Sequence, residues 1–259
     1  VETVPLTKVC LYGPVESPRL GQTLWVNPLP IKYKLCSFNC LYCRLGASDK
    51  IAADVTPYLD DLPSVDDIIA TLRLRLDEGV EFDTLALSGN GEPTLHPDFL
   101  KLSLKIHKLL KRYYPHKTLA LLSNSSGLVR KQIRESVDLY DLPIFKLDVG
   151  RPSSFYRINR PDPNVIYEDI LAELRMIGTK VHVQTVLVGG PRGNMNDVDI
   201  NMWMQAMQDV KPKAIEIYSI NREIPETGAQ IVPAAELKKL AHRVEDELGI
   251  PVAAFGNWK

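Results

Sequence analysis

Apolar residues in this 259-residue chain follow two rhythms that alternate from about residue 31 onward. Short contiguous apolar runs read as buried strands, and longer segments with apolar residues every three or four positions read as helices. IKYKLCSF predicts a strand that runs into a cysteine-bearing loop. SVDDIIATLRLRLDEG predicts a helix, with Ser64 and Asp67 at capping-box spacing and Gly79 as its stop. TLALS predicts a strand, PDFLKLSLKIHKLLKRYY a helix and TLALLSN a further strand. A short helix from about Leu128 leads to the strand IFKLDV, the helix VIYEDILAELRMIG and the strand KVHVQTVLVGG. DVDINMWMQAMQDV (helix), AIEIYSI (strand), AAELKKLAHRVEDELG (helix) and a last short strand, PVAAF, complete the run. Such alternation predicts an α/β fold, a parallel sheet with outer helices. Six units are too few for a closed eight-stranded barrel. No linker, low-complexity tract or close repeat interrupts the pattern, so a single domain over 1–259 is expected. Residues 1–30, rich in Gly and Pro (YGPVESPRLGQTLWVNPLP), are expected to cover the bottom or open side of the fold formed by 31–259.

Composition adds boundaries. A hydrophobic content of 45% supports a substantial core, and a formal net charge of −1 gives no global reason to expect a nucleic-acid binder. No apolar run is long enough to span a bilayer. The opening VETVPLTKVC lacks a basic segment followed by an apolar core, so no secretory signal is read there and a cytoplasmic protein is expected. KLLKRYYPHK, with Lys108, Lys111, Arg112 and Lys117, reads first as the solvated end of a helix, and an RNA-binding patch is the lesser reading. The methionines of NMWMQAMQ read as a packed helix face.

Three of the four cysteines lie within CSFNCLYC: Cys36, Cys40 and Cys43. Four cysteines are too sparse to staple a fold of this size, which argues against disulfides. A structural zinc site needs four ligands, but there is no second cysteine pair and the first histidine is His96. Cys10 lies far upstream and reads as a small buried hydrophobe. Three thiolates on one short loop suit an iron–sulfur cube in which the fourth iron has no protein ligand.

The cysteine spacing, with Tyr42 just before the last thiol, resembles the signature of the radical S-adenosylmethionine (SAM) superfamily. The segment SGNGEPTLHP, after the second predicted strand, resembles that family's Gly-Gly-Glu-Pro segment. Aligned on Glu92, Asn90 takes the place of one glycine, and asparagine tolerates a left-handed backbone better than other residues with a side chain. The resemblance implies a partial (βα)6 TIM-like barrel with a [4Fe–4S] cluster on Cys36, Cys40 and Cys43. It implies that the open iron chelates SAM, that Tyr42 lies near the adenine, and that Gly89, Asn90, Gly91 and Glu92 hold the SAM amino group. Ser123 and Asn124, followed by Ser125 and Gly127, either face the SAM ribose or merely end a strand. Lys146 and Asp148 share one face of FKLDVG and are either a structural ion pair or a cofactor clamp. QTVLVGGPRGNMND resembles a segment of the molybdenum-cofactor cyclase group, with Asn196 and Asp197 at its Asn-Asp.

His182 and Gln184 share a face of one strand, as do Glu216 and Tyr218 of the next. A polar face on a central strand is unusual unless it lines a lumen, so these four are the catalytic or substrate-binding candidates. Arg222 lies beyond, and Arg19 is either a ligand contact or a surface charge. The resemblance implies reductive cleavage of SAM to a 5′-deoxyadenosyl radical that takes hydrogen from a substrate. It also implies an electron donor such as ferredoxin or flavodoxin and no membrane. The absence of cysteine after Cys43 argues against the molybdenum-cofactor cyclase and peptide-maturing enzymes with cysteine-rich extensions. YGPV and SGNGEPTLHP resemble compact members grouped with the tRNA wyosine-synthase family, which leaves RNA, a nucleoside or a small metabolite open as substrate. Two alternatives stand beside this reading: an activating enzyme that installs a glycyl radical on a partner protein, and a non-catalytic iron–sulfur binder. The SAM cradle around Glu92 argues against the second.

Overall fold

The structure, a computed structural model, describes residues 3–224 and 228–256. A hairpin of β1 (Leu11–Ser17) and β2 (Gly21–Val26) is followed by the two-residue strands β3 (Leu35–Cys36) and β4 (Lys50–Ile51). Six further strands follow: β5 (Thr84–Leu87), β6 (Thr118–Ser123), β7 (Leu142–Lys146), β8 (His182–Leu187), β9 (Ala214–Ser219) and β10 (Val252–Phe255). The helices are α1 (Val65–Asp77), α2 (Phe99–Tyr113), α3 (Lys131–Ser136), α4 (Pro152–Ile158), α5 (Tyr167–Ile177), α6 (Asp197–Val210) and α7 (Ala234–Leu248). One sheet has the order β1-β2-β5-β6-β7-β8-β9-β10, and β3 pairs separately with β4. Every neighbouring pair from β2 to β10 is parallel, whereas β1 runs antiparallel to β2. β1 and β10 are the two edges of this sheet, so the barrel is partial.

The alternation of side chains along each strand makes two walls. Outward residues, including Leu85, Leu87, Leu119, Leu121, Phe145, Val183, Ile215 and Ile217, join the main core beneath the helices. Inward, a smaller cluster of Leu20, Ala86, Ala120 and Ile144 fills the lower lumen. Helix α1 starts as its sequence predicts, with Ser64 Oγ accepting from Asp67 N at 3.1 Å. Met204 and Met207 on α6 are buried, in keeping with a packed face.

Three expectations need correction. IKYKLCSF is not the first strand of the barrel; that strand is β2, from the segment expected only to cover it. The backbone of the cysteine run is engaged elsewhere. Lys34 N donates to Asp49 at 2.8 Å, and Leu35 packs with Leu29, Ala52, Val55 and Leu95 in a satellite cluster. Helix α4 was not expected, because seven residues are too few to display a helical period. The strand expected in IFKLDV ends at Lys146, leaving Asp148 in the loop beyond it.

Candidate active site

The cysteine loop lies at the carboxyl end of the parallel strands, where chemistry gathers in β/α barrels. Its backbone is tied to the end of α4: Asn39 N donates to Asn159 O at 3.0 Å and Leu41 N to Ile158 O at 2.9 Å. Cys36, Cys40 and Cys43 are free thiols that line one cavity of about 270 Å³. Cys10 does not line it and packs against the main core. Each of the three loop sulfurs meets a side-chain nitrogen: Lys34 Nζ at 3.0 Å from Cys43, Asn159 Nδ2 at 3.5 Å from Cys40 and Asn124 Nδ2 at 3.7 Å from Cys36. Burial pushes the Cys40 thiol up to about 11 and Cys36 higher still. Among the described residues, no three His, Cys, Asp or Glu side chains converge as a single-ion site requires. Thiols spread around a cavity, each with its own donor, fit a polynuclear group that takes one thiolate per iron.

The loop after β5 approaches the cysteine loop through backbone. Leu35 N donates to Asn90 O at 3.0 Å and Glu92 N to Leu35 O at 3.2 Å. Gly91, at φ +144°, leaves no room for a side chain, since a Cβ would stand 1.7 Å from Leu35 O. Gly89, at φ +145°, is pressed against the Asn27 side chain. Asn90 is not among the residues with positive φ, so the left-handed tolerance expected of it is not used. Its buried amide instead binds Thr7 N, Thr7 O and Pro30 O, at 2.9–3.0 Å, and it is not part of the cavity lining. Glu92 does line the cavity. Its Oε1 accepts from Thr94 N, Thr94 Oγ1 and Ser123 Oγ, while Oε2 accepts from Asn124 N at 2.6 Å. Burial raises the Glu92 carboxyl and these hydrogen bonds oppose that rise.

On the opposite wall the Tyr42 hydroxyl donates to Asp148 Oδ2. Asn159 Nδ2 donates to the same oxygen at 2.6 Å, and Val186 N donates to Oδ1 at 2.8 Å. Asp148 is therefore enclosed behind the cavity and braces Tyr42, which lines it. Lys146 also lines the cavity, with Nζ 3.8 Å from Asp148, 5.4 Å from the centre of the Tyr42 ring and 5.8 Å from that of Tyr218. Burial is the largest single influence and would lower the Lys146 ammonium, but Asp148, Tyr218 and Cys40 together outweigh it and hold the group above its ordinary value. Asn194, a residue with no sequence signal, bonds Asp148 O and Val186 O and fixes the loop after β8. Asn196 caps α6, accepting from Asp199 N at 3.0 Å.

Deeper in the lumen, parallel register sets Gln184 beside Glu216 and Val186 beside Tyr218. Arg19 enters from the turn of the β1–β2 hairpin, and its NH1 lies 2.6 Å from Glu216 Oε2. Gln184 lies 3.0 Å from the Tyr218 hydroxyl and 3.4 Å from Glu216. With its amide turned over, Gln184 accepts from Arg19 and donates to Tyr218. Gln184, Tyr218 and Arg19 line the same cavity as the cysteines, and Arg222 lies at its rim. Arg19 is thus a lumen residue and not a surface charge. Of the four polar candidates, Glu216 lies just behind the lining in its pair with Arg19, and His182 is farther away. It stands at the amino end of β8, half-buried and outside the cavity lining.

The structure therefore gathers Cys36, Cys40, Cys43, Tyr42, Gly91, Glu92, Ser123, Asn124, Lys146, Gln184 and Tyr218 around one cavity, with Glu216 paired just behind. Gly89, Asn90 and Asp148 support that wall from behind. Sequence reasoning missed Lys34 and Asn159. Lys34 could have been found, since an extended run places it on the face of Cys36 two residues on. Asn159 could not, because only tertiary folding brings α4 to the cysteine loop.

A largely parallel partial barrel with a cavity at the carboxyl ends of its strands is the architecture of the β/α-barrel enzymes. The chain belongs to the Radical SAM superfamily, whose description its residues 31–202 match, and whose members are enzymes. It is 25% identical over 246 residues to a protein of Brachyspira hyodysenteriae described as GTPase Obg, covering 93% of this chain and 34% of that one. It is 28% identical over 266 residues to a UPF0026 protein of Synechocystis sp., covering 93% of this chain and 94% of the relative. The chain thus spans about a third of the length of the first relative and nearly all of the second. Its fold is similar to the structure of TYW1 with a lysine–pyruvate adduct bound, with a TM-score of 0.59 at 18% identity, covering 87% of this chain and 73% of that one. Among the described residues no helix is long and apolar enough to cross a membrane.

Proposed function

We propose that this chain is an enzyme that holds a [4Fe–4S] cluster on Cys36, Cys40 and Cys43 and binds SAM in the adjoining cavity. The observation that carries this reading is the placement of the three thiols, the Glu92 carboxylate and the Lys146 ammonium on one cavity at the carboxyl ends of the strands. The bound cluster and SAM would supply an electron and a 5′-deoxyadenosyl radical that takes hydrogen from a substrate. Glu92 Oε2, with one protein donor, keeps a lone pair for the SAM ammonium, while Oε1 is held in place by three donors. Lys146 has N–H groups to direct at the SAM carboxylate or ribose, and Tyr42 offers its ring to the adenine. Ser123 and Asn124 act through Glu92 by fixing its rotamer. Gln184 and Tyr218 form the polar wall against which a substrate would lie, with Arg19 and Glu216 holding that wall rigid. A ferredoxin or flavodoxin of the cytoplasm is the proposed electron donor.

The test uses anaerobically reconstituted protein with dithionite and SAM. Formation of 5′-deoxyadenosine by the wild type, and none by Cys40→Ala, is the expected result. A fully loaded cluster that leaves SAM intact would reject the reading. Gln184→Ala should then impair turnover of candidate RNAs, nucleosides or metabolites more than it impairs SAM cleavage alone.

A further inference from the structure

We propose that Lys34, Asn159 and Asn124 form a donor set built for the cysteine sulfurs, in which Lys34 controls the reduction potential of the iron–sulfur group they hold. The inference rests on the cluster reading above and concerns side-chain contacts to sulfur that the reading leaves without a role. The three donors come from separate places in the chain: the residue before β3, the end of α4 and the residue after β6. Each side chain meets a different sulfur, at 3.0, 3.5 and 3.7 Å. All three residues are buried, with exposures of 2% for Lys34, 2% for Asn159 and 9% for Asn124.

Lys34 is the informative member. A buried ammonium is costly unless an opposite charge and hydrogen bonds compensate it. The hydrogen-bond partners of its Nζ are Cys43 Sγ and the Gly46 carbonyl, at 3.0 and 2.7 Å. No carboxylate among the described residues forms an ion pair with it. Its side-chain partner is therefore sulfur, Cys43 Sγ, which carries negative charge once the three cysteines hold iron. The Gly46 carbonyl fixes the ammonium from the far side, so its position does not depend on solvent.

The two asparagines are also oriented by second contacts. Asn124 Nδ2 reaches Ser37 Oγ at 2.9 Å, and its Oδ1 accepts from Ser126 N at 3.0 Å. Asn159 Nδ2 reaches Asp148 Oδ2 at 2.6 Å, linking Cys40 to the brace behind Tyr42. Two neutral dipoles and one full charge thus face the three sulfurs. Hydrogen bonds and charge near cluster sulfurs tune the potential, because adding an electron makes the group more negative. A fixed cation favours that reduced state more than a neutral amide does. Lys34 makes the group easier to reduce, and the amides do so to a smaller extent.

The experiment is an EPR-monitored redox titration of the anaerobically reconstituted full chain, with iron and sulfide measured beforehand. Lys34→Met should move the midpoint to more negative potential at wild-type iron content, and Lys34→Arg should restore it. Asn124→Leu and Asn159→Leu should move it in the same direction by less. Should Lys34→Met assemble no cluster, Lys34→Gln is titrated instead and should show the negative shift. A wild-type midpoint in Lys34→Met or Lys34→Gln, or a larger shift from either asparagine variant, would overturn the assignment. Equal loss of iron from the Met, Gln and Arg variants would also overturn it, since that marks a space-filling role. A wild type that takes up no iron would instead refute the cluster reading beneath it, a separate result.

Discussion

The mouth and the floor of the lumen treat buried polarity in opposite ways. At the floor, charges are matched within the protein: Arg19 lies against Glu216, and Gln184 joins Tyr218 to them. At the mouth, nitrogen donors converge on sulfurs that no disulfide or carboxylate hydrogen bond engages among the described residues, and the side-chain partner of Lys34 is Cys43 sulfur. The difference separates two kinds of polar cluster that look alike in sequence. A cluster that neutralises itself can brace a barrel without a ligand, whereas one whose donors face thiols is completed by something bound. On the function proposed above, the mouth is the cofactor end, and the floor is first a rigid wall and then a surface for substrate.

The largest effect should come from the mouth. Replacing any one of Cys36, Cys40 or Cys43 with Ala should abolish stable iron loading, while Cys10→Ala should leave iron content and SAM cleavage intact. Iron and sulfide analysis checks both, and loss of the cluster in Cys10→Ala would break the contrast. At the floor, Glu216→Ala removes the carboxylate that pairs with the Arg19 guanidinium. We expect a loss of about 3–5 kcal/mol in denaturant unfolding, with much of it recovered by Arg19→Met combined with Glu216→Leu. If Glu216→Ala were neutral for stability, the floor would not be a self-neutralised brace.

A smaller effect sharpens the mouth. Glu92→Ala removes a carboxylate that accepts from Thr94, Ser123 and Asn124, and should weaken SAM binding by about 1.5–3 kcal/mol while iron persists. Calorimetric titration of the loaded protein measures it, and unchanged affinity would reduce the loop to a turn. The smallest concerns pH. Burial raises the Cys40 thiol to about 11, so the folded protein without iron holds this proton at neutral pH. Iron binds the thiolate and displaces that proton, so retention of iron against a chelator should improve between about pH 7 and about pH 9. A flat profile would contradict the buried-thiol account.

Much of this arrangement was legible in the sequence because it is local. The cysteine spacing, the capped start of α1 and the alternation of Gln184, Glu216 and Tyr218 all depend on residues close in the chain. The first barrel strand was not legible. GQTLWV lies among glycines and prolines that mimic a loop, whereas IKYKLCSF carries a strand-like pattern but packs in a satellite cluster. Polar side chains also mislead when their partners come from afar. Asp148 reads equally as an ion-pair partner or a cofactor clamp until Tyr42, Asn159 and Val186 N are seen to enclose it. Asn90 reads as a substitute glycine until its amide is seen holding Thr7 and Pro30.

The central claim is that three thiolates leave one iron of the cluster open to SAM. The most direct test is EPR of the dithionite-reduced, reconstituted protein, recorded without and with SAM. The account predicts a single [4Fe–4S] signal at about four irons per chain. SAM should change that signal in the wild type, with a weaker response in Glu92→Ala. A loaded cluster whose signal is identical with and without saturating SAM would contradict it.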